Sequence, residues 1–197
     1  MPRAFHPHEE EAIRAALRST GKELFENRGV AKTSIEEITR PARIAKGSFY
    51  KFYPSKEALF FELLEGVQDE VRAPLVRAAP STKKATRRQF EILLREVLAC
   101  LRKEPIMRIV GNTDELMQLA RRVPPELLAR HQQRDQEFIR TVVARWNQRS
   151  RKPPTEKVAA HFSLLLMIQH NETLLGDRLY PHAEDAIVAS FSSCFFP

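Results

Sequence analysis

Ile13, Ala16, Leu17, Thr20 and Leu24 recur at three- and four-residue steps, and Phe25 widens the stripe they form. That spacing predicts a helix over about residues 9–28. Glu9, Glu10 and Glu11 suit its N-terminal dipole, and Gly29 is a natural stop that Val30 can close with an apolar contact. Ile35 and Ile38 mark a second, short helix starting at Thr33-Ser34, where Ser34 and Glu37 have the spacing of a capping box. Pro41 ends it or lies in its last turn. A third short helix, over about residues 45–53, runs into the break Pro54-Ser55. Ser55 then caps a long helix through Leu59, Phe60, Leu63, Leu64 and Val67.

Helical spacing continues to the end of the chain. Pro80-Ser81-Thr82 precedes a helix carrying Phe90, Leu93, Leu94, Val97, Leu98 and Leu101, which Glu104-Pro105 ends. A segment over 106–119 is interrupted at Gly111-Asn112, and Pro124-Pro125 opens a helix with Leu127, Leu128, Phe138, Val142 and Trp146. After a basic, proline-rich linker from Arg149 to Pro154, Thr155 starts a helix expected to reach Gly176. A last one is expected over about 181–196. The fold class is therefore all-α. With 6 glycines in 197 residues, no strand-like alternation and no repeat, nothing competes with that reading.

Composition narrows the function. Hydrophobic residues at 43% supply a packed core, and a net charge of +7 makes a polyanionic partner reasonable without requiring one. Cys100 and Cys194 lie in helical apolar patterns and read as small core residues, outside any disulfide framework or metal set. His161 and His170 lie on opposite sides of one helix, so no metal is expected between them. The first residues lack an apolar signal region, and the stretch Leu164–Ile168 is too short to span a bilayer. A cytoplasmic protein away from the membrane is expected. No cofactor is expected either, since no Gly-rich phosphate loop, metal-ligand constellation or nucleophile elbow occurs, which argues against an enzyme.

Two short helices behind a supporting one make a helix-turn-helix, whose second helix enters the major groove with its N-terminal residues at the base edges. Here that helix begins Ala45-Lys46-Gly47-Ser48. Lys46 can donate to guanine O6 and N7, worth about 1–3 kcal/mol of discrimination. Between Ile38 and Lys56 there is no acid, while Arg40, Arg43, Lys46, Lys51 and Lys56 are all cationic. The charge is thus local to one face. Glycine at position 47 is costly in a helix, by about 1 kcal/mol relative to alanine, and close approach to DNA would explain it. Thr33, Ser34, Tyr50, Lys51 and Lys56 are expected to meet the phosphate backbone. Lys83, Lys84, Arg87 and Arg88 form a further basic cluster, read as a solvated helix start.

The series Leu24-Phe25, Gly29, Thr33-Ser34, Ile38, Ala42, Lys46-Gly47-Ser48-Phe49-Tyr50, Phe52-Tyr53-Pro54-Ser55-Lys56-Glu57 and Leu59 resembles the DNA-binding domain of the TetR family of transcription regulators. The resemblance covers about the first 60 residues. The chain departs from the family pattern at Thr39 and Pro41, where alanine is usual, and at Arg43, where the turn usually holds glycine. The resemblance implies a helix-turn-helix DNA-binding domain over residues 1–54. A helical ligand-sensing and dimerisation domain would follow over 55–197, joined to it through the long helix.

A homodimer would then bind a palindromic operator in double-stranded DNA and be released by a small-molecule effector, most simply as a repressor. A helical adaptor that binds protein without reading DNA is the rival. The resemblance also implies a pocket among the central helices, for which Phe61, Phe90, Leu94, Met107, Met117, Phe138, Trp146, Met167, His170 and Asn171 are candidates, each equally a core residue by periodicity. The helix after Thr155 is apolar around its whole circumference and so must be covered on all sides. With the last helix it offers Phe162, Leu165, Leu166, Ile187, Phe191, Cys194 and Phe195 as a dimer interface.

Overall fold

The computed structural model describes residues 6–78, 85–147 and 152–196. Among these the secondary structure is helical throughout: α1 (Pro7–Arg28), α2 (Ile35–Thr39), α3 (Lys46–Phe49), α4 (Lys56–Arg77), α5 (Arg87–Lys103), α6 (Met107–Gly111), α7 (Thr113–Ala120), α8 (Pro125–Trp146), α9 (Thr155–His170) and α10 (Glu172–Ser192). Pro80-Ser81-Thr82, Lys83, Lys84 and Arg149 lie outside the described residues.

The helix ends follow local chemistry. Gly29 leaves α1 at φ 81°, and its N–H donates to Phe25 O at 2.9 Å. Only glycine reaches that conformation without a steric cost. At α2 the capping box is complete: Glu37 N–H donates to Ser34 Oγ at 3.3 Å, and Ser34 N–H donates to Glu37 Oε2 at 2.9 Å. Ser55 Oγ accepts from Ala58 N–H at the start of α4. Asn112 separates α6 from α7 and caps the latter through Glu115 N–H.

The core is continuous from end to end. Leu17, Phe25, Val30, Ile38, Phe49, Leu59 and Phe60 close the N-terminal three helices onto the first turns of α4. Farther along, Phe90 sits among Trp146, Phe191, Phe195 and Phe196, with ring centroids 5.0–6.0 Å away. Trp146 Nε1 donates to Leu75 O at 2.7 Å, fixing α8 to α4. Helix α4 is thus shared, serving the small module with its start and the larger bundle with its end.

Several expectations from sequence are corrected. Helix α3 is a single turn, ending at Phe49 rather than Tyr53, because residues 50–52 close as a turn before Pro54. Helix α9 stops at His170. A further break falls at Gly176 (φ 67°), where the expected helix was to end, so the last continuous stretch of α10 starts just after it, a few residues ahead of Pro181. Cys100 is exposed, whereas Cys194 is buried. Within one chain Leu164 and Met167 of α9 are exposed, the side of this helix that its own core does not cover.

Candidate functional site

The turn between α2 and α3 is closed by Arg43 N–H to Arg40 O and Ile44 N–H to Thr39 O. Arg43 adopts φ 53°, the left-handed conformation that a bulky side chain takes at a cost of about 1–2 kcal/mol. The turn tolerates Pro41, which lies exposed just past the end of α2. Behind this surface Phe49 is fully buried and meets Tyr50 and Tyr53 ring to ring. Burial anchors α3, and Tyr53 also donates to Glu62 Oε1 at 3.0 Å. Burial in the first place, then the Glu62 carboxylate, push the Tyr53 phenol up to about 12.

The solvent side of this unit carries Arg40, Arg43, Lys46, Gly47, Tyr50 and Lys51, all exposed, with Ser48 half-buried. A Cβ placed on Gly47 would meet nothing within 4 Å. Internal packing therefore gives no reason for glycine there. Lys46 Nζ lies 2.8 Å from Glu36 Oε1 across the two helices. The hydrogen bond from Lys46 holds the Glu36 carboxyl below its ordinary range and raises the lysine in turn. Glu36 carries no signal in the acid-free run, because it precedes that run and joins the face only once α2 and α3 pack.

Two of the residues expected at the phosphate backbone have partners within the chain. Thr33 is buried, and its hydroxyl donates to Gly29 O at 2.9 Å. Lys56 Nζ donates to Ala31 O at 3.1 Å and Thr33 O at 2.6 Å. Both are spent on the loop that leads into α2. Ser34 is committed to the capping box, where hydrogen bonds from its hydroxyl and backbone, then from Arg28, lower the Glu37 carboxyl to about 2.

The expected pocket residues scatter. Met107 and Phe138 line a cavity of about 340 Å³ between α4, α5, α8 and α9. Met107 and His170 line a neighbouring cleft of about 470 Å³. The imidazole of His170 lies against Gly111, and burial lowers its pKa. Phe61, Phe90, Leu94 and Trp146 belong to the core, Phe61 packing edge-on to His131. Met117, Met167 and Asn171 are exposed. Gln68, Arg72 and Asp135, which do line the 340 Å³ cavity, gave no sequence signal beyond being polar on amphipathic helices.

Of the expected dimer residues, Leu165, Ile187, Phe191, Cys194 and Phe195 are buried within the chain itself, and Phe162 and Leu166 are half-buried on the cavity wall. The stripe chosen from periodicity faces inward, so a partner cannot reach most of it. The large apolar side chains of α9 and α10 that remain exposed are Leu164, Met167, Leu174 and Leu179.

An all-helical bundle led by a helix-turn-helix with an exposed cationic face defines the class. Residues 17–63 match the model of bacterial regulatory proteins of the tetR family. The N-terminal module is that of the TetR family, and the chain as a whole has the TetR-type fold. It is 33% identical over 82 residues to the HTH-type transcriptional regulator YuxN of Bacillus subtilis, itself uncharacterized, covering 40% of this chain and 28% of that one. To the HTH-type transcriptional repressor NemR of Escherichia coli it is 38% identical over 58 residues, covering 29% of each. The chain thus matches under a third of the length of these relatives.

Fold similarity extends much further. A TetR transcriptional regulator from Rhodococcus sp. RHA1 superposes with TM-score 0.62 at 15% identity, over 95% of this chain and 97% of that one. RolR in complex with resorcinol gives 0.58 at 19%, over 94% and 90%. The superantigen PfiT gives 0.56 at 19%, over 91% and 96%. The shared fold alone therefore does not assign an activity.

Proposed function

We propose that the protein is a transcription regulator that binds a palindromic operator as a homodimer and is released by a small molecule. The observation that carries this reading is the exposed start of α3. There Gly47 faces open space, and Arg43, Lys46, Tyr50 and Lys51 are presented to solvent beside it. A backbone without a side chain allows close approach to a groove wall, and cations around it match phosphates. Arg43, Lys46, Gly47, Ser48, Tyr50 and Lys51 form the proposed contact set, with Lys46 exchanging Glu36 for a base edge.

The unit over 1–54 reads DNA and the helices over 55–197 sense and dimerise. The exposed apolar side chains Leu164, Met167, Leu174 and Leu179 of the last two helices receive the second copy, which brings two reading helices to one site. Ligand in the bundle alters the spacing of those helices through α4. NemR, matched only over the N-terminal module, is a transcriptional repressor, and the proposed action of this protein is likewise repression. Among the described residues no helix is long and apolar enough to cross a membrane, which fits a protein that meets DNA in the cytoplasm.

Selection of bound fragments from a random DNA pool tests the reading. A palindrome should be enriched, and alanine at both Lys46 and Tyr50 should abolish its binding. Enrichment of no sequence would favour the adaptor reading, for which the shared fold of the superantigen PfiT is a precedent.

A further inference from the structure

The 340 Å³ cavity between α4, α5, α8 and α9 has an apolar floor that includes Leu75, Met107, Phe138 and Phe162. What it would accept is decided by three polar side chains. Arg72 Nη1 donates to Asp135 Oδ1 at 2.7 Å, and the guanidinium lies 4.8 Å from the centroid of the Phe138 ring. The two charges on the cavity wall cancel each other. An anion would have to displace Asp135, and a cation would have to displace Arg72. Either would lose its hydration without gaining a spare counter-charge.

Gln68 is in a different position. It is more than nine-tenths buried and lines the cavity, and among the described residues its amide has no hydrogen-bond partner. That amide offers both a donor and an acceptor to an incoming group. The other polar lining residues, Gln132, Gln136 and Ser163, are uncharged as well. Outside lies a groove of about 680 Å³ between α4 and α8, and the residues it shares with the cavity are Arg72 and Phe138. That stacked pair borders both spaces.

We propose that this cavity binds an uncharged, largely aromatic molecule bearing a hydroxyl or carbonyl group. Gln68 pairs with that group, and the Arg72–Asp135 pair excludes ions of either sign. The molecule reaches the cavity from the α4–α8 groove past the Arg72–Phe138 stack. The inference rests on the sensing role given above to the helices after α3, and it adds the chemistry of the ligand.

Three probes of similar shape separate the possibilities: 4-phenylphenol, biphenyl and 4-phenylbenzoate, titrated calorimetrically into the full-length chain without DNA. The phenol should bind about five- to tenfold more tightly than biphenyl, the worth of one net hydrogen bond. The carboxylate should bind more weakly than either. Gln68→Leu should remove the preference for the phenol over biphenyl while leaving biphenyl binding intact; Gln68→Met replaces it if the leucine variant does not fold. Asp135→Asn, which leaves Arg72 uncompensated, should move the preference towards 4-phenylbenzoate.

Tightest binding by the carboxylate in the unaltered chain would overturn the proposal. So would a phenol preference that survives both Gln68 variants, or failure of all three probes to bind. The sensing role fails separately, if 4-phenylphenol binds and the affinity for the selected DNA does not change.

Discussion

Gly47 and Glu36 are the two residues of the reading face whose chemistry makes opposite demands on stability and binding. Because a Cβ at position 47 meets only open space, Gly47→Ala should leave the chain as stable or raise stability by about 0.5–1 kcal/mol in a urea melt. The same substitution should weaken operator binding in a gel shift, since in the proposed complex the added methyl stands where the groove wall comes close. Unchanged DNA affinity would remove the reason offered for glycine. Glu36 holds Lys46 at 2.8 Å in the free protein, and both side chains are about half exposed, so the pair adds little to stability. In the proposed complex it competes with DNA for the lysine. Glu36→Gln should therefore tighten operator binding, with a steeper dependence on salt as one more cation becomes available to the polyanion.

Helix α2 shows how far single elements can be read from residues alone. Its capping box was legible as Ser34 followed three positions later by Glu37, and so were the Gly29 stop, the Ser55 cap and the break at Gly111-Asn112. Each depends on neighbours within one turn, which a sequence displays directly. The length of α3 was not legible, because Pro54 marks only the latest point at which it could end. Nor was the outward face of α10, since periodicity locates a stripe without saying what will cover it. Lys56 and Thr33 looked like phosphate ligands because their partners are carbonyl groups, which no sequence pattern marks.

The cap also sets a pH dependence. Glu37 has its carboxyl lowered from 4.5 to about 2 by Ser34 and Arg28, so its charged form is favoured by folding. That contribution is fully present above pH 4.5 and is lost as pH falls towards 2. Thermal melts of the unaltered chain and of Glu37→Gln should differ above pH 4.5 and converge below it. A difference that stayed constant down to pH 2 would show that charge has no part in the cap.

For the whole molecule, the question is which surface stays apolar once the core is closed. Leu164, Met167, Leu174 and Leu179 are between 46% and 82% exposed on the last two helices, a concentration that fits an interface with a second copy. Met167→Glu should give a monomer by light scattering and lower operator affinity by losing the paired reading heads, with little effect on the fold. A dimer that persists would move the interface elsewhere.

The two ends of the molecule are joined through α4. Lys56 in its first turn grips the carbonyl groups of Ala31 and Thr33, and Gln68 and Arg72 farther along line the cavity. Amide hydrogen exchange in residues 29–34 should therefore respond to whether the cavity is filled. Lys56→Met should raise that exchange and make it indifferent to ligand, leaving the operator-reading unit and the binding pocket folded but no longer in communication.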